Sequence, residues 1–160
     1  MAVLRAAFNP LVVEGLLQGA LQALNEMGMA EGAVIVEAVP GAFELPLAAQ
    51  AAGRSGRFDA VIALGAVIRG DTDHYDHIAR ETAAGLAAAA RETGVPVAFG
   101  VLTCQTEAQA LARSAPGPDN KGAEAARAAV AMVHTLRRLT NRATETRRHG
   151  GKKGGRVRGR

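Results

Sequence analysis

Between Leu64 and His77 the chain reads Leu-Gly-Ala-Val-Ile-Arg-Gly-Asp-Thr-Asp-His-Tyr-Asp-His, and no other stretch carries so many groups able to move protons or hold anions. An imidazole changes charge near neutrality, so His74, beside a polar turn, suits general acid/base work. His77 lies three residues on and could share a metal with it on a helix. Two histidines and scattered aspartates do not complete a ligand set, however, and no metal is expected; His77 reads as a solvated helix residue. The turn Arg69-Gly70-Asp71-Thr72 leads into a helix, where backbone N–H groups and the Thr72 hydroxyl can hold an anion, phosphate above all. Asp71 and Asp73 would repel that anion unless they point away or cap the helix, so an anion site and plain N-capping both stay open.

Aromatic residues are only 3% of the chain, and Phe8, Phe43 and Phe99 each read as lying at or just past the end of a strand. Three rings at one edge would suit a planar conjugated ligand through stacking and desolvation, while each taken singly also reads as a core filler. Arg113 and Lys121 flank the loop Ala115-Pro116-Gly117-Pro118-Asp119 and can either reach an anion across that edge or serve as surface charge.

The elements that must position these groups follow from hydrophobic spacing. Met1 to Ala7 reads as a strand ended by Asn9-Pro10. From Leu11 on, Val13, Leu16, Leu17, Ala20, Leu21 and Leu24 recur at three and four, an amphipathic helix stopped by Gly28. Ala33 to Val39 is a second strand closed by Pro40-Gly41. Phe43 to Ala52 is a second helix, with Pro46 tolerated in its first turn. Asp59 to Ile68 is apolar without alternation, as in a strand covered on both faces. Tyr75 to Thr93 is a long Ala-rich helix, Val95 to Thr103 a fourth strand, and Glu107–Ser114 and Lys121–Leu139 are further helices. Strands alternating with helices predict an α/β fold, a three-layer α/β/α sandwich around a four-stranded parallel, flavodoxin-like sheet, with ligands at the carboxyl edge of its strands. Phe8-Asn9, Pro40 to Glu44, Gly70 to His77 and Phe99-Gly100 are expected to meet there.

At 160 residues the chain suits one domain that buries roughly two thirds of its unfolded surface. The net charge of +4 is unevenly spread. Residues 141–160 hold eight Lys or Arg against one Glu, a net +7, and the first 140 hold 11 basic and 14 acidic groups, a net −3. Residues 1–140 are thus expected to form the domain, and 141–160 a Gly/Arg-rich tail with too little apolar surface to fold. Such a tail can bind nucleic acid through charge alone, but it lacks aromatic residues for base stacking, and a solvated extension is the expectation. The single cysteine, Cys104, excludes an internal disulfide and suits a reducing compartment. No apolar run approaches the roughly 20 residues that span a bilayer. A cytoplasmic protein without membrane partners is expected.

Taken together, Phe8-Asn9, Pro40-Gly41-Ala42-Phe43-Glu44-Leu45-Pro46, Ala63 to Thr72 with His74, Phe99 to Thr103 and Asn120-Lys121-Gly122 resemble the lumazine synthase family in order and spacing, over most of residues 1 to about 139. The resemblance implies condensation of 5-amino-6-(D-ribitylamino)uracil with 3,4-dihydroxy-2-butanone 4-phosphate to 6,7-dimethyl-8-ribityllumazine, phosphate and water, with no metal or organic cofactor. It implies that Phe8, beside Asn9, stacks on the pyrimidine. Ala42, Phe43 and Glu44 would bind ring and ribityl groups, and Ala66, Val67 and Ile68 would offer backbone contacts to the uracil. Phe99 would close the pocket from a neighbouring subunit. Gly70, Asp71, Thr72, Arg113 and Lys121 would hold the phosphate, and His74 would transfer protons with Glu124 as its partner.

Small-molecule substrates and a homo-oligomer follow as expectations: a pentamer or an assembly of pentamers, able to associate with riboflavin synthase. The chain departs from the family pattern at Ala6-Ala7, where Ser-Arg is usual, and at Gly117, where a basic residue is frequent. Two other classes of function fit the residues less fully. One is a shell-forming relative that has lost catalysis and recruits nucleic acid through its tail. The other is a flavodoxin-like flavin binder without turnover.

Overall fold

The computed structural model describes the backbone of residues 1–150 and the side chains of residues 1–140 apart from Glu31; the tail expected over 141–160 lies outside the fully described residues. Four strands, β1 (Ala2–Ala6), β2 (Ile35–Val39), β3 (Val61–Ile68) and β4 (Val97–Cys104), alternate with helices α1 (Pro10–Glu26), α2 (Leu45–Arg54), α3 (His74–Thr93), α4 (Glu107–Ser114) and α5 (Lys121–Gly150). The sheet order is β2-β1-β3-β4, and every pair is parallel. The expected α/β architecture is therefore the observed one.

β3 explains why alternation was missing from its sequence. Val61 through Val67 are all buried, because the strand is covered on both faces. Ile62, Leu64 and Ala66 face one core with Val12, Val13, Leu16, Leu24 and Ala126 of α1 and α5. Val61, Ala63 and Val67 face the other, with Leu45, Ala49, Leu86 and Ala89 of α2 and α3. The period of two thus survives as a division between two cores. Leu16 and Leu24 are fully buried; cutting such a side chain to alanine costs about 2–5 kcal/mol.

Among the element boundaries that differ from the sequence expectation, two do so for evident local reasons. The second helix begins as a 3-10 turn over Ala42–Glu44, and α2 proper starts at Leu45 with Pro46 in its first turn. The second strand starts at Ile35 rather than Ala33, because Glu31–Ala33 form a 3-10 turn.

β4 carries the larger correction. Phe99 does not lie at a strand end: it is the third of eight residues in β4 and pairs with Ala63, whereas Ala66, Val67 and Ile68 pair with Leu102, Thr103 and Cys104. At about 3.3 Å per residue, Phe99, five residues before Cys104, stands roughly 17 Å back from the carboxyl end of β4. Gly100 sits within the strand, where a Cβ would meet Leu64 at 2.6 Å and the Ala63 carbonyl at 2.9 Å.

Candidate active site

The carboxyl ends of β2, β1 and β3 open into a cleft of about 510 Å³. Phe8 and Phe43 stand on its rim, 72% and 56% exposed. Ala42, Glu44 and the Ala66–Ile68 backbone contribute to its wall, with Gly70, Thr72 and His74 along the side toward α3. Three of the four segments expected at this edge are thus together. Phe99-Gly100 is the absent one.

Local geometry accounts for each placement. Asn9 precedes α1 in the left-handed region, φ 55°, which Asn tolerates better than most residues. This turns the chain sharply enough to leave Phe8 outside the core, and the Asn9 Nδ2 donates to the Ala66 carbonyl at 2.8 Å. Its amide therefore braces the wall of the cleft. On the opposite side the fully buried Thr82 of α3 donates from Oγ1 to the Ala42 carbonyl at 3.2 Å. That bond pins the 3-10 turn carrying Phe43 and Glu44.

The loop between β3 and α3 is held at both ends by Arg69. Its guanidinium pairs with Asp76 at 3.3 Å and lies 5.5 Å from the Tyr75 ring centroid, while its N–H donates to the Cys104 carbonyl. Asp73 occupies the N-cap position of α3 but its side chain makes no capping bond. The Thr72 hydroxyl accepts from the His74 N–H at a long 3.5 Å. Capping by the aspartate is thus not what organises this turn. Asp71 is exposed and does not line the cleft.

Arg113, Lys121 and Glu124 lie elsewhere. With Phe99 and the outer part of β4 they line a second cleft, of about 280 Å³, between β4 and α5. The Lys121 ammonium pairs with the Glu124 carboxylate at 2.5 Å, and the Arg113 Nη1 donates to the Gln109 carbonyl at 3.3 Å. His74 belongs to the first cleft and Glu124 to the second, so a single chain does not bring the expected proton-transfer pair into one cleft. Phe99, 48% exposed, lies on an edge strand beside this second group.

Tyr75 and Ile78 also line the first cleft and were not singled out in the sequence. The spacing of four from His74 to Ile78, one helical turn, was the available signal. Among the described residues no three His, Cys, Asp or Glu side chains gather closely enough to hold a metal ion. No helix among them is long and apolar enough to cross a membrane.

Comparison with known proteins adds two findings. Residues 1–137 match the family model described as 6,7-dimethyl-8-ribityllumazine synthase. A protein of Halorhodospira halophila named 6,7-dimethyl-8-ribityllumazine synthase is 49% identical over 138 residues, which cover 86% of this chain and 88% of that one. One of Caulobacter vibrioides named 6,7-dimethyl-8-ribityllumazine synthase 1 is 47% identical over 143 residues, covering 89% and 94%.

Proposed function

The chain belongs to the lumazine synthase family, and we propose on that premise that it makes 6,7-dimethyl-8-ribityllumazine for riboflavin biosynthesis. The reaction condenses 5-amino-6-(D-ribitylamino)uracil with 3,4-dihydroxy-2-butanone 4-phosphate and releases phosphate and water. The observation that carries the assignment of residues is the first cleft. It combines two exposed aromatic rings, a strand-end backbone, one carboxylate and one imidazole in about 510 Å³, an inventory suited to a flat polar ring with a polyol chain.

In this reading Phe8 stacks on the pyrimidine, and Ala42, Phe43 and Glu44 hold ring and ribityl groups, the Glu44 carboxylate accepting from hydroxyls. Ala66, Val67 and Ile68 present backbone groups to the uracil. Asn9 acts chiefly through its bond to Ala66. The amine of one substrate attacks the ketone of the other, water leaves as an imine forms, phosphate departs, and a second condensation closes the ring. His74 moves protons in these steps. Holding both substrates in a reactive pose supplies much of the acceleration.

The phosphate end is served by Gly70, the Asp71 backbone and the Thr72 hydroxyl from one chain and by Arg113 and Lys121 from its neighbour, with Glu124 meeting His74 across the junction and Phe99 closing the pocket. Two facts support a site made by two chains: the candidate groups divide between separate clefts, and Phe8, Phe43 and Phe99 are all exposed in the lone chain. Joining the first cleft of one copy to the second cleft of the next is a head-to-tail contact, which closes into a ring when the rotation between copies is a whole fraction of a turn. A pentamer, or an assembly of pentamers open to riboflavin synthase, is the proposed form. A cytoplasmic setting suits the free, buried Cys104.

Mixing the purified protein with both substrates tests the reaction directly. Lumazine fluorescence and released phosphate should appear together. Tight flavin binding with no turnover would replace the enzyme by a flavin-binding protein.

A further inference from the structure

Asn120 lines neither cleft of the proposed site, yet it is the most heavily hydrogen-bonded side chain near it. It is 2% exposed, and its Nδ2 donates to the carbonyls of Gly15 at 3.0 Å, Ser114 at 2.8 Å and Ala115 at 3.1 Å. Its Oδ1 accepts from the N–H groups of Gly122 at 2.9 Å and Ala123 at 3.0 Å. Two N–H donors serve three carbonyls, so the amide is fully engaged.

The identity of those partners gives the amide its role. Ser114 directly follows Arg113, and Gly122 directly follows Lys121. One buried amide therefore ties together the two backbone segments that carry the cations of the second cleft, and fixes both to α1 through Gly15. The glycines around it leave the space this needs. A Cβ at Gly19 would overlap the Asn120 amide, and one at Gly122 would collide with the Leu16 backbone. Between the two tied segments, residues 115–119 are exposed.

We propose that Asn120 is a positioning residue for phosphate recognition: it sets the spacing between Arg113 and Lys121 and thereby the affinity for the phosphorylated substrate, without touching it. The proposal rests on reading the second cleft as the phosphate half of the site. Asn120→Ser tests it, since serine still caps α5 with a neutral oxygen but is too short to reach the three carbonyls.

The expected result is a rise of about tenfold in KM for the butanone phosphate and in the inhibition constant of inorganic phosphate, with kcat and the pyrimidine KM within about twofold. A purely structural role would lower the yield of folded protein and leave these constants unchanged per folded site, which would overturn the proposal. Equal rises in both KM values would overturn it too. If Arg113→Ala also spares the butanone phosphate KM, the phosphate reading itself fails and the proposal falls with it.

Should Asn120→Ser not fold, the wild-type protein decides. With inorganic phosphate at about ten times its dissociation constant, amide exchange at Gly122 and Ala123 should slow about tenfold, because opening their bonds to Asn120 would break the phosphate site. Unchanged exchange at saturating phosphate would overturn the proposal.

Discussion

The Asn9 side-chain amide and the Ala66 carbonyl meet at 2.8 Å, joining the turn after β1 to the end of β3 across 57 residues of sequence. Asn9 combines this bond with a left-handed backbone, and two substitutions separate the contributions. Asn9→Gly loses the bond but keeps the backbone easily, whereas Asn9→Ala loses both. Urea unfolding should find the alanine variant less stable than the glycine variant by about 1 kcal/mol. Both should raise the pyrimidine KM, because the Ala66 wall is no longer braced. Equal stabilities would remove backbone strain from the account.

His74 is the one imidazole among the residues that line the first cleft. His74→Ala should lower kcat by roughly 10²-fold without abolishing turnover, since substrate positioning survives. Steady-state kinetics check this. An unchanged kcat/KM would take His74 out of the mechanism.

Arg113 is exposed and its Nη1 donates to the Gln109 carbonyl; the guanidinium's five N–H donors leave it able to receive an anion as well. Arg113→Ala should raise KM for the butanone phosphate about tenfold and leave the pyrimidine KM near wild type. Equal effects on the two substrates would contradict the assignment.

Much of this arrangement was legible in the sequence. The spacing of Val13, Leu16, Leu17, Ala20, Leu21 and Leu24 anticipated α1, and the unbroken apolar run before Ile68 anticipated a strand covered on both faces. Phe99 was misplaced although the expected strand, Val95 to Thr103, already put it four residues short of the end; what the sequence did not carry was its partner across the sheet, Ala63. Register comes from pairing with β3, a non-local fact. The division of His74 from Glu124 was hidden for a similar reason: both sit on helix starts, and only the sheet order separates them. Asn120 read as part of a loop-end motif, although an Asn immediately before a helix was a visible capping signal. Its donated bond to the Gly15 carbonyl, 105 residues away in sequence, was not visible at all.

The basic segment is proposed to be dispensable for the reaction. Cutting the chain after Thr140 should leave kcat/KM unchanged and remove any salt-dependent retention of RNA. Retention that survives the cut would locate it on the domain and end the idea of a nucleic-acid arm.

The central claim is that each site joins the first cleft of one chain to the second cleft of another, and subunit mixing tests it most directly. His74→Ala and Arg113→Ala subunits, damaged in opposite halves, are unfolded together in equal amounts and reassembled. If neighbouring chains share sites, about a quarter of the junctions draw both halves intact, and activity at low butanone phosphate should recover to about that fraction of wild type. Activity that stays at the mean of the two separate variants would contradict a site built between chains.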